Sequence, residues 1–155
     1  MIEIKWCWKQ FQDLTVYELY KLLKLRQNVF VVEQNCVYAD IDGIDTDAWH
    51  LLGLIGQELC ACARIIPPIK NDHVSIGRVI SSQAVRGQGV GKQVMLQSMS
   101  FVKQHKFTAP IKISAQHHLM SFYEEFGFVK YSKPYDEDGI LHIDMMLNQD
   151  NQAYT

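Results

Sequence analysis

The chain has 155 residues, 48% of them apolar and 21% charged, with a formal net charge of -2 at pH 7. That length and apolar share suffice for one globular core, and the near-neutral charge leaves no electrostatic footprint for nucleic acid. No stretch reaches the run of about 20 apolar residues that a membrane span requires.

Met1-Ile2-Glu3-Ile4-Lys5 has neither a basic region nor a long apolar run, so no signal peptide is expected and the cytoplasm is the default location. Ile2 to Trp8 alternates apolar Ile2, Ile4 and Trp6 with Glu3, Lys5 and Cys7, which predicts a half-buried strand. A helix follows from Thr15, capped by Asp13 or Thr15, with Val16, Leu19, Tyr20 and Leu23 on one stripe. It is expected to run to about Val32, as one or two elements depending on a break near Gln27-Asn28. The acidic segment Asp40 to Asp47 fails as an EF-hand loop, because Asp45 and Leu51 stand where glycine and glutamate are required. It reads as a solvated loop or as an electrostatic rim for a cationic substrate.

Three strands are expected over Trp49 to Ile55, Glu58 to Ile66 and His73 to Ile80, joined by turns short enough for an antiparallel meander. A helix from Gly89 to Gln104 carries the stripe Val94, Met95, Ser98, Met99, Phe101 and Val102. Then come a strand at Ile111 to Ala115, a helix at His118 to Phe126 and Gly127 at a left-handed cap. Phe128 to Ser132 and Ile140 to Leu147 read as two final strands around the acidic turn Asp136 to Gly139. The expected domain covers 1–148, and 149–155 read as a frayed tail. Cys7, Cys36, Cys60 and Cys62 form no C-x-x-C pair and read as small hydrophobes, and no histidine spacing suggests a metal site.

The stretch with most chemical content is Val79 to Lys92, where a β-branched run stops, three glycines arrive within five residues, and a helix opens. Glycines let a ligand approach the backbone, and the first amides of a helix attract an anion such as a pyrophosphate. The dinucleotide fingerprint fails at Lys92 and Val94, and the Walker pattern fails at Arg86 and Gln93. Arg86-x-x-Gly89-x-Gly91 instead resembles the acyl-CoA loop of the GNAT N-acetyltransferases. The segment Ala115 to Phe128, with Phe122-Tyr123-Glu124 and Gly127-Phe128, resembles a second motif of that family about 25 residues downstream. Arg26 to Gln34 and Pro134 to Ile143 are similar to the ElaA-type branch.

The element order predicts helices on a mixed, mostly antiparallel sheet, an α+β architecture that the resemblance identifies as the acyl-CoA N-acyltransferase fold. The resemblance implies acetyl-CoA as co-substrate, with pantetheine along Val79, Ile80 and Ser81. It places the pyrophosphate on Arg86, Gly87, Gln88, Gly89, Val90 and Gly91, with Lys92 as an added charge. Gln116 and Tyr123 complete the contacts, although Gln116 and Leu119 depart from the family's asparagine and alanine. Tyr123 occupies the position of a general acid for the departing thiolate. Glu33, His117, His118, His142 and Asp144 all remain candidates for the base. The expected reaction is direct transfer of acetyl to a primary amine, with a cationic acceptor suggested by the acidic segments and no metal. The alternative is a non-catalytic acyl-CoA sensor or regulatory module. The resemblance implies that a homodimer is one option, since relatives frequently pair, but no dimer interface is legible in these residues.

Overall fold

The computed structural model describes residues 3–149, so expectations that rest on Met1, Ile2 or the tail from 150 onward lie outside the described residues. Strand β1 spans Lys5–Gln10 and pairs antiparallel with β2, Trp49–Ile55. Among the described residues the ladder opens at Lys5, and the phase is the expected one, with Ile4, Trp6 and Trp8 packed on the core. Helix α1, Val16–Arg26, starts with a capping box: Thr15 Oγ1 accepts from the Glu18 amide at 3.1 Å, and Glu18 Oε1 accepts from the Thr15 amide at 2.9 Å.

The stripe of α1 differs from the expected one. Leu22, Leu25 and Val29 are buried together with Arg26, while Val16 and Tyr20 face solvent. Arg26 lies on this inner face, so a charge interrupts the apolar stripe of Leu22, Leu25 and Val29 and hides its periodicity in the sequence. Beyond Arg26 the chain does not stop but widens into a π-helical segment, Gln27–Glu33, a rare conformation that brings Val29 onto the core and carries Glu33 out to the surface.

Strand β3, Glu58–Ile66, and β4, Val74–Ser81, complete the expected antiparallel meander. Between Cys62 opposite Ile80 and Arg64 opposite Gly77, Ala63 faces both Arg78 and Val79, so β4 carries a bulge. Arg78 takes the left-handed φ of 51° at that point. Helix α2, Val90–Gln104, buries Val94, Met95, Ser98, Phe101 and Val102 as its stripe predicts. Strand β5, Ile111–Gln116, runs parallel to β4, but only Val74 and Ser75 pair with it, opposite Ile111 and Lys112. The bulge bends β4 away, and a gap opens between two neighbouring strands of one sheet.

The expected helix from His118 is shorter, a 3₁₀ turn at His117–Leu119 followed by α3, Met120–Glu124, and Gly127 has the left-handed φ of 96°. The expected strand 128–132 shrinks to β6, Val129–Lys130, because Phe128 turns into the core. Part of the presumed acidic turn is a strand: β7, Tyr135–Glu137, pairs with β8, Ile140–Leu147. Asp138 and Gly139, with φ of 52° and 86°, form the two-residue turn between them. Gln149, expected to begin the frayed tail, donates its amide to the carbonyls of Phe107, at 2.9 Å, and Ala109.

The sheet order is β1-β2-β3-β4-β5-β8-β6, with β7 also on β8. Helices α2 and α3 cover one face, sharing clusters with Ile65, Ala63, Ile113, Ile143 and Met145. Helix α1 covers the other face over β2 to β4, through Leu52, Cys62 and Ile80. This is the mixed, mostly antiparallel sheet between helical layers that the sequence predicted. On the α1 side, His142 and Asp144 of β8 remain only half-buried and open to a cleft.

Candidate active site

The gap between β4 and β5 leads into a cleft of about 920 Å³. Val79, Ile80 and Ser81 line it from β4, Ser114 and Gln116 from β5, Tyr123 from α3, and His142 and Asp144 from β8. The π-helical segment and the loop after it form the opposite wall through Phe30, Gln34, Cys36 and Tyr38. That wall is tied to the far side by Cys36, whose Sγ lies 3.1 Å from the Asp138 carbonyl, and by Gln34, which accepts from Gln116 at 3.1 Å.

The acidic segment 40–47 is not a free rim. Arg26 donates from Nε to Asp40 at 2.9 Å and from Nη1 to Asp45 at 2.8 Å, and it is 1% exposed. Arg64 donates to both oxygens of Asp42, at 2.9 and 3.0 Å, and to Asp45 at 3.1 Å, while Arg78 reaches Asp42 and the Asp40 carbonyl. Three arginines from α1, β3 and β4 thus neutralise three aspartates and pin the loop to the sheet. Partial burial opposes ionisation of Asp42, but the hydrogen bonds of Arg64 and the Ile44 amide and the two arginine charges prevail and hold it at about 2. The expectation of a steering rim at 40–47 is therefore corrected, because these carboxylates already have their cations.

The glycine loop has the geometry of an anion cradle. Gly87 and Gly89 have φ of 78° and 76°, and Gly89 caps α2, whose first amides have no intrahelical partner. Gly87, Gln88, Gly89 and Lys92 are exposed, Gly91 is half-buried against Phe122, and the Val90 side chain is buried beneath them. These six residues flank the cleft beyond its lining, whereas Arg86 lines it. The Arg86 guanidinium forms a two-point ion pair with Glu33 and also donates to the Ser81 carbonyl at 3.2 Å. The hydrogen bond from Arg86 lowers the Glu33 carboxyl, so one of the expected base candidates is already engaged.

Tyr123 is 8% exposed and its hydroxyl takes no hydrogen bond among the described residues. Burial alone pushes the phenol up to about 12, so it keeps its proton at neutral pH. His142 presents Nδ1 to the Ile140 carbonyl at 2.8 Å, and a carbonyl only accepts, so Nδ1 carries hydrogen and the neutral ring keeps its lone pair on Nε2. Glu137 Oε2 lies 3.4 Å from that Nε2. His117 is half-buried, while His118 is exposed at the rim. Cys62 is pushed up to about 12 by burial, which makes it inert, and none of the four cysteines is bridged. Among the described residues no group of His, Cys, Asp or Glu could hold a metal, and no helix is long and apolar enough to cross a membrane.

A sequence model described as an acetyltransferase (GNAT) domain matches residues 54–149. The chain is 46% identical over 145 residues to the protein ElaA of Escherichia coli, covering 92% of this chain and 95% of ElaA. The crystal structure of E. coli ElaA superposes with a TM-score of 0.88 at 45% identity, over 93% of this chain and 99% of that one. An acyl-CoA N-acyltransferase from Pseudomonas aeruginosa superposes with a TM-score of 0.89 at 42% identity, with the same coverage.

Proposed function

This chain belongs to the GNAT acetyltransferase family, and from that premise we propose that it transfers the acetyl group of acetyl-CoA directly to a primary amine. The observation that carries the reading is the opening between β4 and β5, faced by a buried phenol without a partner among the described residues. Pantetheine runs along Val79 to Ser81 in the place β5 would otherwise fill, and the pyrophosphate rests on the amides from Arg86 to Gly91, with Lys92 nearby. Gln116 and Tyr123 close the cofactor end.

The amine nitrogen attacks the thioester carbonyl, an amide of the bulged Val79–Ile80 segment donates to the oxyanion, and collapse expels the CoA thiolate. Tyr123 gives its proton to that sulfur. A phenol at about 12 is a weak acid for a free thiolate, but the burial that raises the phenol also raises the basicity of a thiolate formed beside it. His142 receives the amine's proton on Nε2, and Glu137 then faces the imidazolium. Glu33 is the weaker choice for this role because Arg86 holds it.

The test is release of free CoA thiol from acetyl-CoA across a panel of primary amines, with the acetylated product identified by mass. Thiol release that depends on the amine supports transfer. Cofactor binding without turnover of any amine would instead favour a non-catalytic acyl-CoA sensor.

A further inference from the structure

The shelf beside the cleft, formed by β5, β7 and β8, has a hydrogen-bond chain that the transfer reaction leaves unused. Tyr135 Oη lies 2.6 Å from Asp144 Oδ1 and 2.5 Å from Ser114 Oγ. A carboxylate only accepts, so the single phenolic proton goes to Asp144 and Ser114 must donate to Tyr135. Burial first, and then the bond to Asp144, push the Tyr135 phenol up to about 12, which keeps that direction fixed at neutral pH. The chain clamps one carboxylate oxygen of Asp144 and leaves the other without a hydrogen bond among the described residues.

The arginines around the cleft are already engaged. Arg64 and Arg78 are bound to the 40–47 aspartates, Arg86 is bound to Glu33, and Lys112 lies over the Tyr131 ring at 5.6 Å. Asp144 lines the same cleft with no ion pair among the described residues. A second, independent sign that the cleft receives a ligand is Tyr123, nine-tenths buried with its hydroxyl unpartnered among the described residues. Asp144 stands two residues from His142 on the same face of β8, roughly 7 Å along the strand, which is the span of an extended chain of about five carbon atoms.

We propose that Asp144, oriented by Tyr135 and Ser114, anchors a second cationic group of the acceptor, so that diamine-like amines are selected over monoamines of the same length. This rests on the transferase reading, since His142 marks where the reacting amine sits. The anchor holds the remote ammonium by a charge-assisted hydrogen bond while the near nitrogen, deprotonated, faces the thioester.

The experiment is calorimetric titration of the CoA-saturated protein with pentane-diamine and with pentylamine, beside the corresponding rates of thiol release from acetyl-CoA. The diamine should bind about ten-fold more tightly, and that preference should appear in KM rather than kcat. Asp144→Asn should bring the ratio to about one, and Tyr135→Phe should lower it part of the way, both variants being checked for native folding by circular dichroism. Equal binding of the two amines, or an unchanged ratio in Asp144→Asn, overturns the anchor. Asp144-dependent diamine binding without thiol release would uphold the anchor and refute transfer. A protein that turns over both amines equally would uphold transfer and refute the anchor.

Discussion

Tyr123 reaches the cleft because α3 is anchored by its neighbours: Phe122 meets the Tyr123 ring edge-on, with centroids 5.0 Å apart, and Phe128 meets it at 6.3 Å. Such packing fixes the ring and leaves only the hydroxyl to do chemistry, so Tyr123→Phe removes the proton donor without opening a cavity. If Tyr123 is the general acid, kcat should fall by about a hundred-fold while acetyl-CoA affinity is nearly retained. Equal turnover in the variant would remove the residue from the mechanism. A different residue governs pH dependence. His50 is 1% exposed and donates Nε2–H to the Asp45 carbonyl at 2.9 Å. Burial lowers its pKa against the opposing pull of Asp45. A lowered folded pKa means that the unfolded chain binds the extra proton first, so stability is complete above about 6.5 and declines as pH falls below it. The melting temperature should drop with pH below that value, and the slope should flatten in His50→Gln.

The elements show where the sequence was readable. The glycine loop, the stripe of α2 and the meander from Trp49 to Ser81 are local patterns whose residues touch neighbours in the chain, so spacing alone revealed them. The ionic cluster is different, since Arg26, Arg64 and Arg78 come from three elements and meet Asp40, Asp42 and Asp45 only after folding. One signal was present: Arg26 falls on the stripe of Leu22, Leu25 and Val29, and Arg64 stands inside an apolar strand, and charges on such faces are expected to be paired. The π-helical widening had no local signature, because it is Val29 reaching the core that selects it. Likewise β7 was hidden by its acidic residues, which lie on an edge where Asp136 and Glu137 meet solvent. Removing one member of the cluster should be costly. Arg26→Met leaves the buried Asp40 and Asp45 with one arginine each, Arg78 and Arg64, and should lower unfolding free energy by about 3 kcal/mol, read from urea denaturation. A loss below about 1 kcal/mol would mean that the cluster is solvated rather than structural.

At the scale of the whole molecule, the net charge of -2 hides two unlike acidic regions. The 40–47 segment is internally neutralised and shapes a wall, whereas Glu137 and Asp144 face the cleft with no arginine or lysine bound to them among the described residues. Strands β4 and β5 part beyond Ser75, and the bulge at Arg78–Val79 shapes the opening to which binding is assigned. Everything proposed for this chain requires that opening and the glycine loop beside it to receive acetyl-CoA. The direct measurement is a calorimetric titration with acetyl-CoA, comparing wild type with Gly89→Val. No atom lies within 4 Å of a Cβ at Gly89, so the fold has room for the side chain, although φ of 76° costs a valine backbone roughly 1–2 kcal/mol. Saturable binding by the wild type, abolished in a variant still folded by circular dichroism, is the expected result. No heat and no thermal shift in the wild type, at more than one temperature, would contradict an acyl-CoA site in this cleft.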